Sequence, residues 1–328
     1  SKQLWNSYAI VNPKVVRRST TKEESEIVVS AKLFLDIVRR LPEEIVFIET
    51  DERMVTYIAC GKVNYQIVGM SSVEYPDLPS FEQTDRITLN AKILRDMIRQ
   101  TVYAVSENTA KPIYTGSLYE IEDGVFKIIA IDGYRMAIRS ENVDSESKNR
   151  FVVPGKTQHE VLKLLTDDEE NTEIIIGQRH ITFKIKNYRI ISRLIEGTFI
   201  EYKSAIPKET KTEVVINTRT IIDAVERMSL LNNDRIQSPV RCIFSDDEIK
   251  LSCTSAVGRA NDVISVPIIG ESVEIGFNNR YLLDALKNAD TDEIKLILNG
   301  SLTAMIVKPV KGDSYLSIVV PMRLANEN

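Results

Sequence analysis

One thirteen-residue pattern of apolar, polar and charged positions occurs five times along the chain. In each copy an apolar residue is followed by Ser, Asn or Pro, a Lys or Arg stands fourth, and apolar residues stand ninth and tenth. This spacing predicts an amphipathic helix, and Ser or Asn at the second position predicts an N-cap in four copies. The copies are Val29–Leu41, Leu89–Thr101, Val153–Leu165, Ile216–Met228 and Phe277–Ala289.

The regular spacing of the copies indicates duplicated units. Their fourth positions are 60 to 64 residues apart. Between the helices lie short β-branched runs with turn signals, which predict antiparallel strands. The last unit shows this most clearly, with predicted strands at Ile294–Leu298, Leu302–Val307 and Tyr315–Val320. Each unit is therefore predicted to be a helix followed by a β meander, which makes the fold class α+β.

The start of the chain departs from this regularity. Ser1–Val11 has the apolar positions of a sixth helix, with Gln3 at the position of the cation, but Gln3 precedes Lys32 by only 29 residues. About one meander of chain is therefore expected to be missing near residues 15–25, and the polar run Val16–Ser25 is expected to be a loop or junction. Six units pair into three predicted domains, 1–84 (short), 85–209 and 210–328.

Charge is concentrated in the repeated helices. The five windows contain 12 Lys or Arg and 6 Asp or Glu, a net charge of +6, whereas all other residues contain 30 and 41, a net charge of −11. One basic surface on an otherwise acidic protein is typical of nucleic-acid binding. We predict that DNA is met by Lys32, Arg39, Arg40, Lys92, Arg95, Arg99, Lys156, Lys163, Arg219, Arg227, Arg280 and Lys287.

The cation at the fourth position is the informative one. It lies in the first helical turn, where the helix dipole disfavours a positive charge by about 0.3–1 kcal/mol. Its recurrence in five copies therefore indicates a function rather than a contribution to stability. An acidic residue follows it four positions later in each copy and is expected to moderate its attraction for phosphate.

Composition excludes several classes of protein. A hydrophobic content of 43% and a charged content of 27% are ordinary for a globular protein. The apolar runs are only strand-sized, so we expect neither a transmembrane helix nor a signal peptide, and a cytoplasmic location. Cys60, Cys242 and Cys253 are far apart and form no CxxC pair, which indicates buried thiols rather than disulfides or a zinc site.

Two local features suggest enzymatic chemistry, and both are too weak to support it. Gly155–Thr157 reads Gly-Lys-Thr and opens a repeat helix, but the other glycine of a phosphate-binding loop is replaced by Arg150. His159 and His180 are the only histidines, too few for a metal-histidine site or a Ser/His/Asp site of the usual kind. We expect no catalytic site, no cofactor and no metal.

A resemblance enters at Ile128–Ser140, IIAIDGYRMAIRS, which predicts two strands joined by a tight Asp-Gly turn. This run resembles the strand-turn-strand signature of the bacterial DNA polymerase III β subunit, the sliding clamp family. Leu194–Pro207 and Val319–Leu324 are similar to further stretches of that family. The resemblance implies three repeated clamp-type domains, each of two helix-plus-meander units, closed head to tail as a homodimeric ring with helices lining the hole.

The same resemblance implies a pocket between the middle and last domains, into which partner proteins insert a short linear peptide. Tyr114 stands where a smaller aliphatic residue is common in the family, and Ile200 replaces a frequent proline. Carried over by motif, the pocket would include Tyr114, Gly133, Tyr134, Arg135, Met136, Ile200, Ala205, Asn278, Tyr281, Ile318, Val320, Pro321, Met322, Arg323 and Leu324.

These observations predict a processivity factor without catalytic activity. Cations that meet phosphates carry no base information, so double-stranded DNA would be encircled independently of its sequence. The expected partners are the replicative polymerase catalytic subunit, the clamp loader, other proteins with a clamp-binding motif and a second copy of the chain, but no membrane. A repeat-built interaction protein that does not encircle DNA is the alternative. A DNA- or nucleotide-processing enzyme would need a carboxylate cluster or a phosphate loop.

Overall fold

The structure, a computed structural model, describes residues 27–42, 45–74, 85–166, 170–232 and 238–324. The described chain forms two compact units, one containing residues 27–74 and the other residues 85–324. The predicted helix Ser1–Val11, the predicted junction Val16–Ser25 and the tail 325–328 lie outside the described residues. Within these described ranges, five helices among many antiparallel strands confirm the predicted α+β class. No described helix has both the length and the apolar character needed to cross a membrane.

The N-terminal unit, residues 27–74, contains one described helix and a small meander. Strands β2, β3 and β4 form a three-stranded antiparallel sheet, and β1 pairs with β5. Its buried core consists of Ile37, Ile58 and Ile67. The elements are β1 (Ile27–Val28), α1 (Ala31–Val38), β2 (Phe47–Thr50), β3 (Val55–Cys60), β4 (Val63–Val68), β5 (Met70–Ser71) and the 3₁₀ turn Ser72–Glu74.

The second unit begins with the middle lobe, residues 85–206. It has two helix-plus-meander halves that exchange their leading strands, giving the sheets β10-β7-β8-β9 and β13-β12-β11-β6. Both helices share one core with both sheets, and α2 packs beside α3. The elements are β6 (Asp85–Asn90), α2 (Ala91–Val102), β7 (Gly116–Glu122), β8 (Val125–Ile131), β9 (Arg135–Asn142), β10 (Asn149–Pro154), α3 (Gly155–Leu164), β11 (Asn171–Ile176), β12 (His180–Ile185) and β13 (Tyr188–Arg193), with 3₁₀ turns at Pro112–Thr115 and Tyr202–Ala205.

The C-terminal lobe, residues 211–324, repeats this arrangement. Its sheets are β17-β16-β15-β19 and β22-β21-β20-β14, with β18 added beside β14, and α4 packs beside α5. The elements are β14 (Thr212–Asn217), α4 (Thr218–Ser229), β15 (Val240–Ser245), β16 (Glu248–Ser255), β17 (Gly258–Ser265), β18 (Ile268–Gly270), β19 (Val273–Phe277), α5 (Asn279–Lys287), β20 (Glu293–Leu298), β21 (Met305–Pro309) and β22 (Tyr315–Val319).

The two lobes are joined edge to edge through β9 and β22. These strands pair antiparallel, with Met136 opposite Ile318, and fuse one sheet of each lobe into a nine-stranded sheet. Behind the joint, the Tyr103 hydroxyl lies 3.0 Å from the Tyr315 hydroxyl and 2.8 Å from Ser317 Oγ. Burial raises the pKa of Tyr103 to about 12. Backbone pairing and a buried hydroxyl cluster therefore hold the lobes together.

The strands of the last repeat lie close to their predicted positions, with one exception. β20 and β22 differ from the predicted runs by a single residue at one end, but β21 begins at Met305 rather than at Leu302. Leu302 lies in the turn that follows Gly300, whose φ is +94°, and its side chain is 87% exposed. An apolar residue in a turn was thus wrongly assigned to the strand.

Close packing accounts for the glycine of the Gly-Lys-Thr run. Gly155 is the first residue of α3, and a Cβ there would lie 3.1 Å from the Thr115 carbonyl oxygen and 3.2 Å from Val105 Cγ2. A larger residue would push the helix away from these neighbours.

Candidate functional site

The five helices begin where the repeated pattern predicts. Each starts at the third position of its repeat, and the predicted caps are confirmed in four of them. Asn90 Oδ1 accepts hydrogen bonds from Lys92 N at 2.9 Å and Ile93 N at 3.4 Å. Pro154 precedes α3 without a side-chain cap. In the four capped helices the cap fixes the start of the helix and hence the direction of the cation one residue later.

All five cations of the fourth position reach solvent. Lys32, Lys92, Lys156, Arg219 and Arg280 are exposed. The opposite helix faces are buried in the second unit, where the ninth and tenth positions of α2, α4 and α5 belong to the lobe cores. Each of these three helices therefore turns its apolar stripe toward sheets and its first-turn cation toward water.

Most of the predicted DNA-facing cations have a carboxylate neighbour. Eight of the twelve lie within 4.0 Å of an Asp or Glu oxygen: Arg40, Arg95, Arg99, Lys163, Arg219, Arg227, Arg280 and Lys287. Within the described ranges, the four without an ion pair are Lys32, Arg39, Lys92 and Lys156. Exposed pairs of this kind are weak and screened by salt, so a polyanion can replace the carboxylates.

The acidic residue four positions after each first-turn cation seldom forms an ion pair with it. Among the described residues, only Arg219 makes this pair, with Asp223 at 2.8 Å. Arg280 instead lies 3.7 Å from Glu107, and Asp284 binds Arg135. Tertiary neighbours thus replace the local partner.

Arg135 is a buried link between the two lobes. It is the first residue of β9, its side chain is only 6% exposed, and it binds Asp132 of its own turn and Asp284 of α5. Its guanidinium also lies 4.6 Å from the ring centre of Tyr281 and 5.4 Å from that of Tyr103. Two carboxylates and two aromatic faces compensate the burial of this charge.

A tight turn sets the position of this arginine. Asp132 Oδ1 accepts hydrogen bonds from Tyr134 N at 2.8 Å and from Arg135 N at 3.0 Å. Gly133 has a φ of +95°, a conformation that favours glycine. The predicted Asp-Gly turn is therefore confirmed, and it leaves Tyr134 at its tip with the side chain 61% exposed.

Tyr134 and the C-terminal segment form an exposed surface at the lobe joint. The Tyr134 ring stacks on Tyr281, with ring centres 5.8 Å apart. The backbone carbonyl oxygen of Tyr134 accepts a hydrogen bond from Val320 N at 2.9 Å. Met322 N donates a hydrogen bond to the Gly276 carbonyl oxygen at 2.8 Å. The segment after β22 is thus held by one lobe and then by the other.

An apolar cluster lies next to this surface and includes residues from both lobes. We call it the joint cluster; its buried members are Leu118, Ile129, Ile131, Met136, Ile138, Val152, Phe199, Tyr202, Ile306 and Ile318. Tyr114 packs against it with its ring centre 5.8 Å from that of Phe199, edge to face. Three predicted pocket residues, Tyr114, Met136 and Ile318, therefore meet in one cluster.

The remaining predicted pocket residues have varied positions. Ile200 is 37% exposed beside the buried Phe199, and Val320 is 39% exposed. Ala205 is exposed at the end of a 3₁₀ turn. Asn278 uses its side-chain oxygen to cap α5 through Arg280 N at 3.0 Å and Tyr281 N at 3.3 Å. In the last segment Pro321, Met322 and Leu324 are half-buried and Arg323 is exposed.

Sequence reasoning missed several residues of this region. Phe199 is one residue from the predicted Ile200, and Ile131 is two residues from the predicted Gly133, inside the same motifs. Apolar alternation along the chain could have found them. Asp284 and Tyr103, which surround Arg135, lie on other elements far away in the sequence. No sequence signal connects them to the pocket.

The arrangement has the chemistry of a binding surface. It offers aromatic and aliphatic side chains, with polar groups already engaged in hydrogen bonds. The described residues contain no group of three or more His, Cys, Asp or Glu placed to hold a metal ion. His180 lies beside Arg193 and Arg179, and burial together with these charges lowers its pKa.

Comparison with known proteins agrees with the fold. The chain matches three family models of the DNA polymerase III beta subunit: the N-terminal domain at residues 7–79, the central domain at 88–201 and the C-terminal domain at 203–323. It is 33% identical to the beta sliding clamp of Halalkalibacterium halodurans over 92% of this chain and 81% of that protein. For the beta sliding clamp of Bacillus subtilis the identity is 32%, over 93% and 82%.

Two solved structures are similar over the same extent. The DNA polymerase sliding clamp from Bacillus subtilis has a TM-score of 0.90 and 32% identity, covering 93% of this chain and 82% of that one. A putative DNA polymerase III beta subunit from Eubacterium rectale has a TM-score of 0.88 and 31% identity, covering 92% and 83%. The duplicated helices, the paired lobes and these matches along most of the sequence show that the chain belongs to the DNA polymerase III beta subunit family.

Proposed function

We propose that this protein is a sliding clamp: two copies close into a ring around duplex DNA and tether the replicative polymerase, the clamp loader and other partners through a peptide pocket. It holds DNA by topology and performs no catalysis. Polymerase bound to a ring that stays on the template has a high effective concentration at the primer end.

The observation that carries this proposal is the exposed cation in the first turn of every repeated helix. Lys92 and Lys156, on the two neighbouring helices of the middle lobe, have no ion pair within the described ranges. Unpaired lysines in the first turns of neighbouring helices can contact successive phosphates without reading bases. Contacts of this kind are weak and rapidly exchanged, which permits sliding.

The joint between the lobes suggests how two copies close head to tail. It pairs β9 with β22. β9 is the third meander strand in the first half of the middle lobe, and β22 is the third meander strand in the second half of the C-terminal lobe. The strand equivalent to β9 in the C-terminal lobe is β17. The strand equivalent to β22 in the N-terminal unit is β4. Each ends its sheet, with no described strand on its outer edge. We infer that β17 of one protomer pairs with β4 of the other.

The pocket is proposed at the joint cluster and the surface around Tyr134. A peptide side chain would enter beside Tyr114, Met136 and Ile318, while the C-terminal segment forms the neighbouring wall. The lining is predominantly apolar with a few fixed polar groups, as expected for peptide anchoring.

A topological test addresses the ring. Clamp is loaded by a clamp loader onto nicked circular plasmid, free protein is removed by gel filtration, and the plasmid is then cut once. We expect the protein to co-elute with circular DNA and to be lost after linearisation. Retention on linear DNA would contradict encirclement and favour an interaction protein that grips DNA directly.

Charge variants test the helices. The double variant Lys92→Glu with Lys156→Glu should reduce the loaded fraction about tenfold or more at low salt. The loss should be smaller at high salt, because wild type and variant then both bind DNA weakly. The matched control is Lys208→Glu with Lys311→Glu, the same charge change at two exposed positions outside the repeated helices. Equal loss in the control would show that net charge, rather than the helices, governs loading.

A further inference from the structure

A groove with a volume of about 600 Å³ lies on the middle lobe. Part of its floor belongs to the joint cluster, namely Leu118, Val152 and Phe199. Ile195 and Leu194 extend the apolar floor. None of the residues carried over by family resemblance lines it, so the groove has a lining of its own beside the proposed pocket.

One wall of the groove is an edge strand. β10 ends the nine-stranded sheet, and Arg150, Phe151 and Val152 of this strand line the groove. The Val152 carbonyl accepts a hydrogen bond from Ile195 N at 2.9 Å on the side away from β7. Because strand backbone groups alternate in direction, Arg150 turns its own N–H and C=O to that same side. No loop or strand backbone in the described part of the chain pairs with Arg150 there.

This backbone edge identifies the class of ligand. An extended peptide can add to an exposed strand edge while its side chains enter neighbouring apolar pockets. A compact small molecule would use the floor but leave the strand edge unpaired. The groove is therefore suited to a peptide in extended conformation that places one bulky apolar side chain over Val152 and Phe199.

The rim indicates the charge of that peptide. Glu196 is paired with Arg193 at 3.0 Å, and Arg150 lies 3.9 Å from Glu201 and donates to the Ile200 carbonyl at 3.4 Å. Arg179 lines the groove and is exposed, and it has no ion pair within the described ranges. A carboxylate next to the apolar side chain of the peptide would supply its partner.

The groove is continuous with the proposed pocket. Phe199 lines the groove and also contacts Tyr114, which the pocket contains. Ile200, the next residue, is exposed beside the pocket. A chain leaving the pocket therefore crosses only residues 199–200 before it reaches β10.

We propose that partner peptides continue beyond the pocket, across residues 199–200, and add to β10 as an extended segment with a bulky apolar residue and a neighbouring Asp or Glu. This inference rests on the proposed peptide-binding function. The groove would then distinguish partners whose pocket-binding residues are alike but whose flanking residues differ.

The test is a two-step peptide selection on the full-length protein. A random pentapeptide library is first selected for binding that is lost when the protein is truncated after Val320. The selected pentapeptide is then extended by four randomised residues at either end and selected again. We expect enrichment of a large apolar residue together with Asp or Glu at one end only, and affinity about tenfold above that of the pentapeptide.

Two variants and one control test whether the higher affinity of the extended peptide comes from the groove. Thr198→Trp fills the groove at an exposed position, and Arg179→Glu reverses the charge of its rim. Both should reduce the affinity of the extended peptide to that of the pentapeptide while leaving the pentapeptide unaffected. Arg189→Glu, the same charge reversal on exposed β13 outside the groove lining, should retain the full gain.

The outcomes separate the groove from the pocket. If pentapeptides bind but no extension is enriched, or if the gain survives in Thr198→Trp, the groove proposal is overturned and the pocket stands. If no selected pentapeptide depends on the C-terminal segment, the pocket proposal fails, and the groove proposal fails with it.

Discussion

Helices α1 and α5 carry the same thirteen-residue pattern but bury very different amounts of apolar surface. In α1, Leu33 and Leu35 are 48% and 47% exposed, and Ile37 is the one buried residue. In α5, Leu282 and Leu286 are 3% and 0% exposed. The difference cannot come from local sequence, since both helices have an apolar stripe and an N-cap.

The difference comes from what each helix packs against. α5 lies beside α4 and shares with it one core formed with both sheets of the C-terminal lobe. α1 belongs to a unit with a three-stranded sheet, in which Phe47 and Val68 are 70% and 81% exposed. A repeated unit of this kind buries its faces only against a second unit. The predicted Ser1–Val11 helix lies outside the described residues.

The largest expected effect comes from the tenth position of the repeat. Leu286→Ala should lower the free energy of unfolding by about 2–5 kcal/mol, because it leaves a cavity in a closed core. Val38→Ala, the same repeat position in α1, removes a side chain that is 39% exposed and should cost less than about 1 kcal/mol. Urea unfolding followed by circular dichroism measures both. Equal losses would show that α1 is as well buried in solution as α5.

The joint between the lobes gives a second comparison. Tyr103→Phe removes the hydroxyl that bonds Tyr315 and Ser317 and should cost about 1 kcal/mol. Tyr57→Phe in the N-terminal unit removes an exposed bond to Asp51 and should change stability little. Urea midpoints at pH 8 rank the two. A larger loss for Tyr57→Phe would contradict the closed joint.

The effect of Tyr103→Phe on stability should also depend on pH. In the fold the pKa of Tyr103 is raised from 10.0 to about 12, so the folded state holds this proton more tightly than the unfolded chain. Its contribution to stability is present in full below pH 10 and is lost as the pH rises toward 12. Between these values wild type should lose more stability than Tyr103→Phe. Parallel pH profiles would argue against burial of this hydroxyl.

Removing the N-cap of α4 should cost more stability than removing the N-cap of α1, by a smaller margin than in the comparisons above. Asn217 accepts hydrogen bonds from Thr220 N at 3.0 Å and Thr220 Oγ1 at 3.1 Å, and Asn217→Ala should cost about 1 kcal/mol. Ser30 accepts from Leu33 N at 3.4 Å, and Ser30→Ala should cost about 0.5 kcal/mol. Hydrogen exchange of first-turn amides in α4 and α1 reports each loss locally. Unchanged exchange in α4 would contradict the capping role.

The smallest effect is expected at the exposed face of α1. Leu35→Gln should change the free energy of unfolding by less than about 0.5 kcal/mol, because nearly half of the side chain is already in water. The same change should reduce the fluorescence of bound anilinonaphthalene sulfonate, which reports accessible apolar surface. A destabilisation above about 1 kcal/mol would show that this face is covered in solution.

Local patterns predicted the helices well and the long-range contacts poorly. The first residues of all five helices and the caps of four of them follow from spacing alone, since a cap acts within three residues. The Asp132–Gly133 turn is equally local. The pairing of β9 with β22 and the burial of Arg135 by Asp284 join residues about 150 to 180 positions apart, and no periodicity encodes such pairs.

The pocket falls between these cases. Family resemblance pointed to Tyr114, Met136 and Ile318, which the joint cluster brings together. Resemblance could not show that the side-chain oxygen of Asn278 accepts a hydrogen bond that caps α5. It also did not indicate the groove along β10, whose wall depends on how the 194–201 loop crosses the sheet edge.

By itself, the sequence determined a repeated capped helix with a cation in its first turn, because capping and amphipathic spacing act within a few residues. Tertiary structure decided which of these helices bury their apolar stripe and which of the cations meet a carboxylate. Eight of the twelve predicted cations lie beside acids, several of them on other elements. Burial and ion pairing depend on residues brought together from distant parts of the chain, so only the packed lobes reveal which lysines, Lys92 and Lys156 among them, remain unpaired in the described structure.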